Sequence, residues 1–332
     1  YHFYIANFMD SEMVIIDGST RQEIGKIKFK YGANPVAIIP SLDKRLLYVA
    51  NRGIDEVAVI DAKSREIIKK IKVGLHPESM EITRDGKYMV VINSQTDHAS
   101  IVDLTSHEVA GNIQTGRGSL DVAIRDDNRA YVTSAYSDDI SVIDLNRMER
   151  IAIVPYDKAP ETLGPDPAGI IISPDGRFAY ICIFYRDRID ILDTATNTIV
   201  DHIPVGAGAP SLMPKKHNPG HRSFKDFRPE QMDSPIYIVL LQDGNTAFVV
   251  EKSSHAVSAV DLKKKIVIKE IDVGWVPGMP VLSPDGRFLF VPNYGERRGD
   301  GSISVIDVEA LEEVERLPGL NWPRAIAVLP AQ

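Results

Sequence analysis

The feature that most constrains the fold is a short apolar strand ending in aspartate, which recurs seven times along the chain. Examples are VAVID (57–61), SVID (141–144) and SISVID (302–307). The seven aspartates are Asp17, Asp61, Asp103, Asp144, Asp193, Asp261 and Asp307, separated by 44, 42, 41, 49, 68 and 46 residues. A repeat of about 40–45 residues built from strands and turns is typical of a β-propeller blade. We expect each aspartate to cap the turn that follows it, which is a structural role.

The second repeat shows the four strands of one blade most clearly. Alternating β-branched and aromatic residues predict strands at 34–39, 46–50, 57–60 and 67–73, with turn residues between them. The sequence Ser-Pro-Asp-Gly at 173–176 and 283–286 predicts hairpin turns, with glycine at the positive-φ position. Apolar residues at helical spacing are not sustained anywhere, so the sequence predicts an all-β chain.

The first repeat lacks its first strand, which appears instead at the end of the chain. Labelling the strands of a blade A to D, the chain begins with strand B at Phe3–Ala6, and Pro323–Leu329 resembles every other strand A. The sequence therefore predicts a seven-bladed β-propeller of four-stranded antiparallel blades, closed by pairing of the N- and C-terminal strands. It also predicts that residues 1–332 form one domain, with an insertion at about 206–235.

The repeated segments FYIAN, LYVAN, AYVTS, SPDGRF and IPVG resemble those of the YVTN or cytochrome-d1-like propeller family over the whole chain. Within that family, the overall design is most similar to the cofactor-free propeller subunits of hydrazine synthases. That resemblance implies haem c on companion subunits and none on this chain. The repeated residues are those of packing and turns, so they indicate the fold far more specifically than the function.

Composition narrows the classes of partner. The net charge of −8 and the pI near 5.5 argue against nucleic acid or an anionic membrane as the main partner. No apolar run approaches the roughly 20 residues of a membrane span. Cys182, the only cysteine, is expected to be a small buried hydrophobic residue, and no Cys-x-x-Cys-His attaches a c-type haem. The chain opens at Tyr1 in a strand, and we expect an exported protein whose signal peptide has been removed.

The added length falls in the D–A and B–C loops, which a four-stranded meander places on one face, here called the long-loop face. The opposite A–B and C–D turns, the short-turn face, are uniformly short. The long connections are residues 155–166, 206–235 and 293–301. Long loops on a rigid scaffold commonly carry function, so we expect binding on the long-loop face.

The insertion is basic, on an acidic protein, and has no strand periodicity. Its aromatic, basic and methionine residues are typical of protein interfaces. The predicted partner-binding residues are Lys215, Lys216, His217, His221, Arg222, Phe224, Lys225, Phe227 and Arg228. His217 and His221 have a metal-ligand spacing, but Pro219 and Gly220 argue against the helix it needs, so no metal site is predicted.

Six residues in equivalent D–A loops are candidates for the mouth of the central channel, where a ligand would enter. They are His76, Arg117, Asp166, Trp275, Trp322 and Arg324. The alternative is that they only pack neighbouring blades. Glu251 stands where lactonase-type propellers carry an acidic residue, but Pro323-Arg324 is followed by Ala325 where those enzymes have histidine.

Three functions remain open from the sequence. The preferred hypothesis is a non-catalytic propeller subunit of an exported redox complex, which docks haem-bearing subunits through the long-loop face and helps enclose their active site. The second is a stand-alone enzyme at the channel mouth, either a lactonase or a haem-d1-type propeller with His76 as the best-placed axial ligand. The third is a surface or scaffold protein.

Deleting residues 211–232 and bridging the ends with a short glycine-rich turn should leave the propeller folded, because the predicted strand pairing lies outside the deletion. Thermal unfolding followed by circular dichroism checks this. A sharp drop in the unfolding midpoint would show that the insertion belongs to the core.

Overall fold

A computed structural model describes residues 1–156, 164–206 and 234–331. These residues form seven four-stranded antiparallel sheets, which confirms the all-β seven-bladed propeller. The long connection at 155–166 and the insertion at 206–235 fall largely outside the described residues, as do all nine predicted partner-binding residues.

Twenty-eight strands and one turn of 3-10 helix, Arg52–Ile54, make up the described elements. In chain order, β1 to β14 are His2–Asn7, Glu12–Asp17, Glu23–Lys28, Pro35–Pro40, Leu46–Asn51, Glu56–Asp61, Ile67–Lys72, Pro77–Ile82, Tyr88–Asn93, His98–Asp103, Glu108–Gln114, Ser119–Ile124, Arg129–Ser134 and Asp139–Asp144. Strands β15 to β28 are Glu149–Pro155, Pro167–Ile172, Phe178–Ile183, Arg188–Asp193, Thr198–Pro204, Pro235–Leu240, Thr246–Glu251, Ala256–Asp261, Ile266–Asp272, Val281–Leu282, Phe288–Asn293, Gly301–Asp307, Glu312–Leu320 and Pro323–Leu329.

The blades fall into two compact units. Residues 1–114 and 274–332 contain blades one, two, three and seven, and residues 115–273 contain blades four, five and six. The organisation of residues 1–332 as one domain stays a prediction.

Blade one is completed from both ends of the chain, as predicted. Strand β28 pairs antiparallel with β1, with Ile5 opposite Ile326 and His2 opposite Leu329. Phe3 of β1 is fully buried and meets Phe290 of blade seven edge to face, with ring centroids 4.7 Å apart. Aromatic pairs of this geometry add to the stabilisation from area burial.

Strands B and C contain most of the buried apolar residues of each blade. Four or more consecutive residues are buried in β5, β9, β17 and β21, whereas the D strands alternate between exposed and half-buried residues. Cys182 of β17 is completely buried, as predicted. Burial of about 0.8 kcal/mol per methylene group makes these strands the main source of stability.

The seven repeating aspartates cap the turns that follow their strands, as predicted. Their carboxylates accept backbone N–H groups two or three residues ahead, for example from Lys63 and Ser64 to Asp61 at 3.0 and 2.7 Å. The other six show the same pattern. In the Ser-Pro-Asp-Gly turns, Gly176 and Gly286 have φ values of 69° and 70°, as expected for glycine.

Turn hydrogen bonds should make stability depend on acid pH. Backbone N–H donors hold the pKa of Asp17, Asp61, Asp103, Asp193 and Asp261 below the ordinary value. A lowered folded-state pKa contributes stability that is present above the unfolded pKa of about 3.9 and is lost as the pH falls through the folded pKa. The midpoint of thermal unfolding should therefore fall as the pH is lowered from about 5 to about 2.

The variant Asp61→Asn with Asp103→Asn should show a smaller acid loss, because two of the titrating groups are gone. The matched control is Asp300→Asn, in an exposed loop where no backbone donor to that carboxylate is found within the described residues. An acid loss in the double variant equal to that of the unchanged protein would contradict this account.

Candidate functional site

The D–A loops share one unusual backbone position, the residue before a proline that begins strand A or, in blade seven, lies shortly before it. Its φ lies between 49° and 55° in six of the blades, at Asn34, His76, Asp166, Ser234, Val276 and Trp322. Non-glycine residues in the left-handed region cost roughly 1 kcal/mol, so each blade makes a sharp turn here in spite of its side chain. The predicted candidates His76, Asp166 and Trp322 therefore occupy the same place in three different blades.

In the first unit, three charged side chains meet on the long-loop face. The Nε of Arg52 lies 2.8 Å from one carboxylate oxygen of Glu78, and Nη2 of Arg324 donates to the other at 3.1 Å. The side chains of Glu78 and Arg324 are 16% and 19% exposed, and that of Arg52 is 32% exposed. We call these three residues the Arg–Glu cluster.

Two aromatic rings hold the guanidinium of Arg324. It lies 5.6 Å from the centroid of Phe8 and 5.2 Å from that of Tyr294. Tyr294 is in turn stacked on Trp322, with centroids 6.5 Å apart and an interplanar angle of 16°. Cation–π contacts of this kind contribute about 0.5–2 kcal/mol each, so the position of Arg324 is set by the rings as well as by Glu78.

The neighbouring main chain approaches Arg324 closely, and glycine permits this. A Cβ added to Gly278 would lie 2.6 Å from the carbonyl oxygen of Arg324 and 3.0 Å from the Tyr294 ring. Met279 N–H donates to that same carbonyl at 3.0 Å, and the Asn34 amide donates to the carbonyl of Phe8 at 3.1 Å. The ring residues and Arg324 are thus fixed through their backbones.

The B–C loops of blades one and seven are tied together beside the cluster. Arg298 donates to the Asp10 carboxylate at 2.7 Å, and the Asn321 amide donates to the other oxygen of Asp10. Asp10 therefore joins the long loop of blade seven to the strand pairing that completes blade one.

In the Arg–Glu cluster, two guanidinium groups share the carboxylate of Glu78. A planar guanidinium holds a carboxylate in a defined geometry. The cluster therefore joins blades one, two and three of the first unit. In the ranges that the structure describes, no three His, Cys, Asp or Glu side chains are grouped to hold a metal ion.

The other predicted candidates are held by local hydrogen bonds. His76 N–H donates to Asp55 at 2.9 Å, and its ring Nδ1 is buried with no hydrogen-bond partner within the described residues. Trp275 is 46% exposed. In the second unit, the N–H of Arg117 donates to Ser137 Oγ at 3.0 Å and that of Asp166 to Asp138 at 3.1 Å. As ligand contacts, these residues stay predictions.

Glu251, in the lactonase-like position, is fully buried in the second unit. Ser254 donates to its carboxylate at 3.2 Å. Full burial behind a strand end leaves this carboxylate without direct access from solvent.

The sequence interpretation found Arg324 and Trp322 but missed the other residues of the cluster. The second residue of strand A is apolar in four blades, at Val36, Leu120, Ala168 and Ile236, and Gly278 stands at the equivalent place before strand A of blade seven. The same position is Glu78 in blade three and Arg324 in blade one. The first residue after strand B supplies Phe8, Arg52 and Tyr294. Opposite charges at one repeat position were the signal that could have found the pair.

Comparison with known proteins gives both a partial family match and structural relatives. Residues 3–96 match the model of the Cytochrome D1 heme domain family. The resemblance to cytochrome-d1-like propellers is confirmed. The matched stretch covers strands β1 to β9, which belong to blades one and two and the first half of blade three. No curated protein is similar enough to count as a match.

Three solved structures share the fold. Kuenenia stuttgartiensis hydrazine synthase is 18% identical, with a TM-score of 0.56 over 85% of this chain and 97% of that chain. A functionally unknown protein from Desulfotomaculum acetoxidans is 14% identical, with a TM-score of 0.74 over 98% of both chains. The dihydro-heme d1 dehydrogenase NirN in complex with DHE is 17% identical, with a TM-score of 0.62 over 98% of this chain and 74% of that chain.

The family match raises the question of whether this chain holds a haem d1. Such a group needs an axial ligand and cations for its carboxylates. Both guanidinium groups of the Arg–Glu cluster are already bound to Glu78, and Arg324 is covered by two rings. The residues of the cluster therefore do not fit a haem d1.

Replacing Glu78 by glutamine should destabilise the protein, because two half-buried guanidinium groups lose their common counter-charge. We expect a fall of about 1–3 kcal/mol in the free energy of unfolding. Denaturant titration of Glu78→Gln measures it, with Glu296→Gln, an exposed residue on the same face, as the control. Inorganic phosphate should recover part of the loss. Equal stability of the two variants would show that the cluster contributes little.

Proposed function

We propose that this chain is a non-catalytic propeller subunit of an exported multi-subunit redox enzyme of the hydrazine synthase type. It docks haem-bearing partner subunits through its long-loop face and helps enclose their active site. The fold it shares with hydrazine synthase and with a haem d1 dehydrogenase makes a redox setting the most consistent one.

The observation that carries the proposal is the distribution of exposed apolar side chains. Outside the strands, large exposed apolar residues of the first unit on the long-loop face are Met9, Tyr31, Leu75 and Trp275. Tyr136 is the corresponding residue of the second unit. On the short-turn face, within the described residues, only Leu42 is of this kind. Aromatic residues and methionine are enriched at protein interfaces.

The charges of the same face agree with a protein partner. The sequence of the insertion, which is predicted to lie on this face, carries the basic residues Lys215, Lys216, Arg222 and Arg228. On an acidic chain, such a concentration favours a partner surface with carboxylates. Haem propionates or acidic side chains both provide them.

The haem groups are placed on the partners in this proposal. The sequence has no Cys-x-x-Cys-His for covalent haem c, and the Arg–Glu cluster does not fit haem d1. We propose an extracytoplasmic location for the complex. Within the described residues, no helix is long and apolar enough to cross a membrane.

Gentle purification from the native source, with mass spectrometry and a visible spectrum on the intact species, tests the proposal. Haem-bearing companion chains are expected. A pure chain that hydrolyses lactones, or that carries a Soret band of its own, would overturn it in favour of a stand-alone enzyme. A colourless chain without companions would overturn it in favour of a scaffold protein.

The contribution of exposed aromatic residues on the long-loop face to binding can be measured once the companion chains have been purified. Tyr31 is 97% exposed and Trp275 46% exposed. Replacing both by serine should weaken assembly by about 1–4 kcal/mol, because buried aromatic anchors dominate interface energies. Calorimetric titration checks this, with Leu42→Ser on the short-turn face, 59% exposed, as the control. An effect of Leu42→Ser equal to that of the double variant would place the interface elsewhere.

A further inference from the structure

The third residue of strand B is a tyrosine in four blades. In three of them its hydroxyl bonds to the next blade across the line of contact between the two blades, here called the seam. Tyr4 OH donates to the Ala62 carbonyl at 3.3 Å, and Tyr131 OH donates to the Thr194 carbonyl at 3.2 Å. Tyr48 OH lies 3.2 Å from Nε2 of His107. In each case the acceptor or partner belongs to the C–D turn of the following blade.

The fourth tyrosine, Tyr180 of blade five, differs. Only 8% of the residue is exposed, and its hydroxyl has no hydrogen-bond partner within the described residues. It faces a cleft of about 720 Å³ between blades five and six, within the second unit. Burial, with the nearby Asp175 carboxylate, raises the pKa of Tyr180, so the hydroxyl keeps its proton at neutral pH.

The cleft exists because residues that fill the preceding seam are absent or turned away. Between blades four and five, Arg125 donates to Thr194 Oγ1 at 3.0 Å. The equivalent residue in blade five is Ser173, whose hydroxyl is bound to Asp175 in its own turn at 2.6 Å. Phe178 takes the place of Arg129 at the start of strand B, and Arg177, just before it, lies over the Phe178 ring at 4.9 Å.

The turn of blade six is also drawn away from Tyr180. His107 and Asn197 reach the tyrosine of the preceding blade from the fifth position of their C–D turns. Lys265 occupies that position in blade six, but it is paired with Asp201 on the outer strand. The space beside the Tyr180 hydroxyl is therefore left open.

The cleft combines an apolar floor with a rim of mixed charge. Ile191, Leu262 and Phe178 line it below. Its rim residues are Asp175, Arg177, Asp193, Asp243 and Lys263. Its volume is within the range of about 300–1,000 Å³ of small-molecule sites.

The rim selects against ligands of high net charge, since each cation has a carboxylate near it. Turn N–H donors lower the pKa of Asp193, and Arg177 lowers it further. Burial raises the pKa of Asp243, but turn N–H donors, the Thr246 hydroxyl and Lys263 together bring it below the ordinary value. Interleaved donors and acceptors suit hydroxyl groups, which both donate and accept. An apolar floor suits the carbon-bound hydrogens of a sugar ring.

We propose that this cleft is a binding site for a neutral carbohydrate, with the Tyr180 hydroxyl as its innermost polar contact. The site lies on the short-turn face, so it does not depend on the proposed docking through the long-loop face. The ligand is either a free sugar or the end of a longer glycan, which share this chemistry.

Saturation-transfer NMR and calorimetric titration on the full chain test the proposal with methyl α-D-glucopyranoside, N-acetylglucosamine and cellobiose as probes. At least one should bind. Tyr180→Phe should then weaken binding about three- to tenfold, because one hydrogen bond is lost. Tyr131→Phe, in the sealed seam, is the matched control and should leave the affinity unchanged.

A second variant gives position 173 the arginine that blade four has at the equivalent position, Arg125. Ser173→Arg places the side chain of blade four in the cleft and should abolish binding of the same probe, while circular dichroism confirms folding. Titration with a chito-oligosaccharide distinguishes the two sources of the ligand. Binding tighter than that of N-acetylglucosamine indicates the end of a glycan, and equal binding indicates a free sugar. Failure of all probes to bind the unchanged protein, or equal weakening in Tyr180→Phe and Tyr131→Phe, would overturn the proposal.

Discussion

Face-to-face packing of neighbouring sheets is the interaction on which the rest of this structure depends. Within each unit, the inner strands of one blade pack against those of the next, as where Tyr48 and Val59 lie in one buried cluster with Met89 and Val91. Such packing needs apolar residues at close to native density and tolerates little change in volume. Loops and turns do not have to meet this packing requirement, so sequence differences between the blades are concentrated in them.

The Arg–Glu cluster shows how a repeated scaffold acquires one group of side chains that the other blades lack. Its residues stand at only two repeat positions, the second residue of strand A and the first after strand B. At those positions most blades have residues that only pack. Charge at three of them, with rings at two more, produces a site without any change in the strands around it. The Tyr180 cleft arises in the same way, from smaller or diverted side chains at positions that seal other seams.

The fold was predictable from the sequence because its signals are local and repeated. Aspartate-capped turns, Ser-Pro-Asp-Gly hairpins and the displaced terminal strand each specify their own neighbourhood, and all three are confirmed. The site was less predictable, since Arg52, Glu78 and Arg324 are far apart in sequence and meet only through blade packing. Loop candidates such as Arg117 and Asp166 were found from position alone, which says nothing about what their side chains contact.

The pairing of β1 with β28 affects when the protein can fold during its synthesis. The partner of the first strand is synthesised about 320 residues after it, so blade one stays incomplete until β28 has been made. Closing so long a loop is slow, and an unpaired strand edge is prone to aggregation until then. Until β28 is available, the incomplete blade keeps an exposed strand edge to which a chaperone can bind.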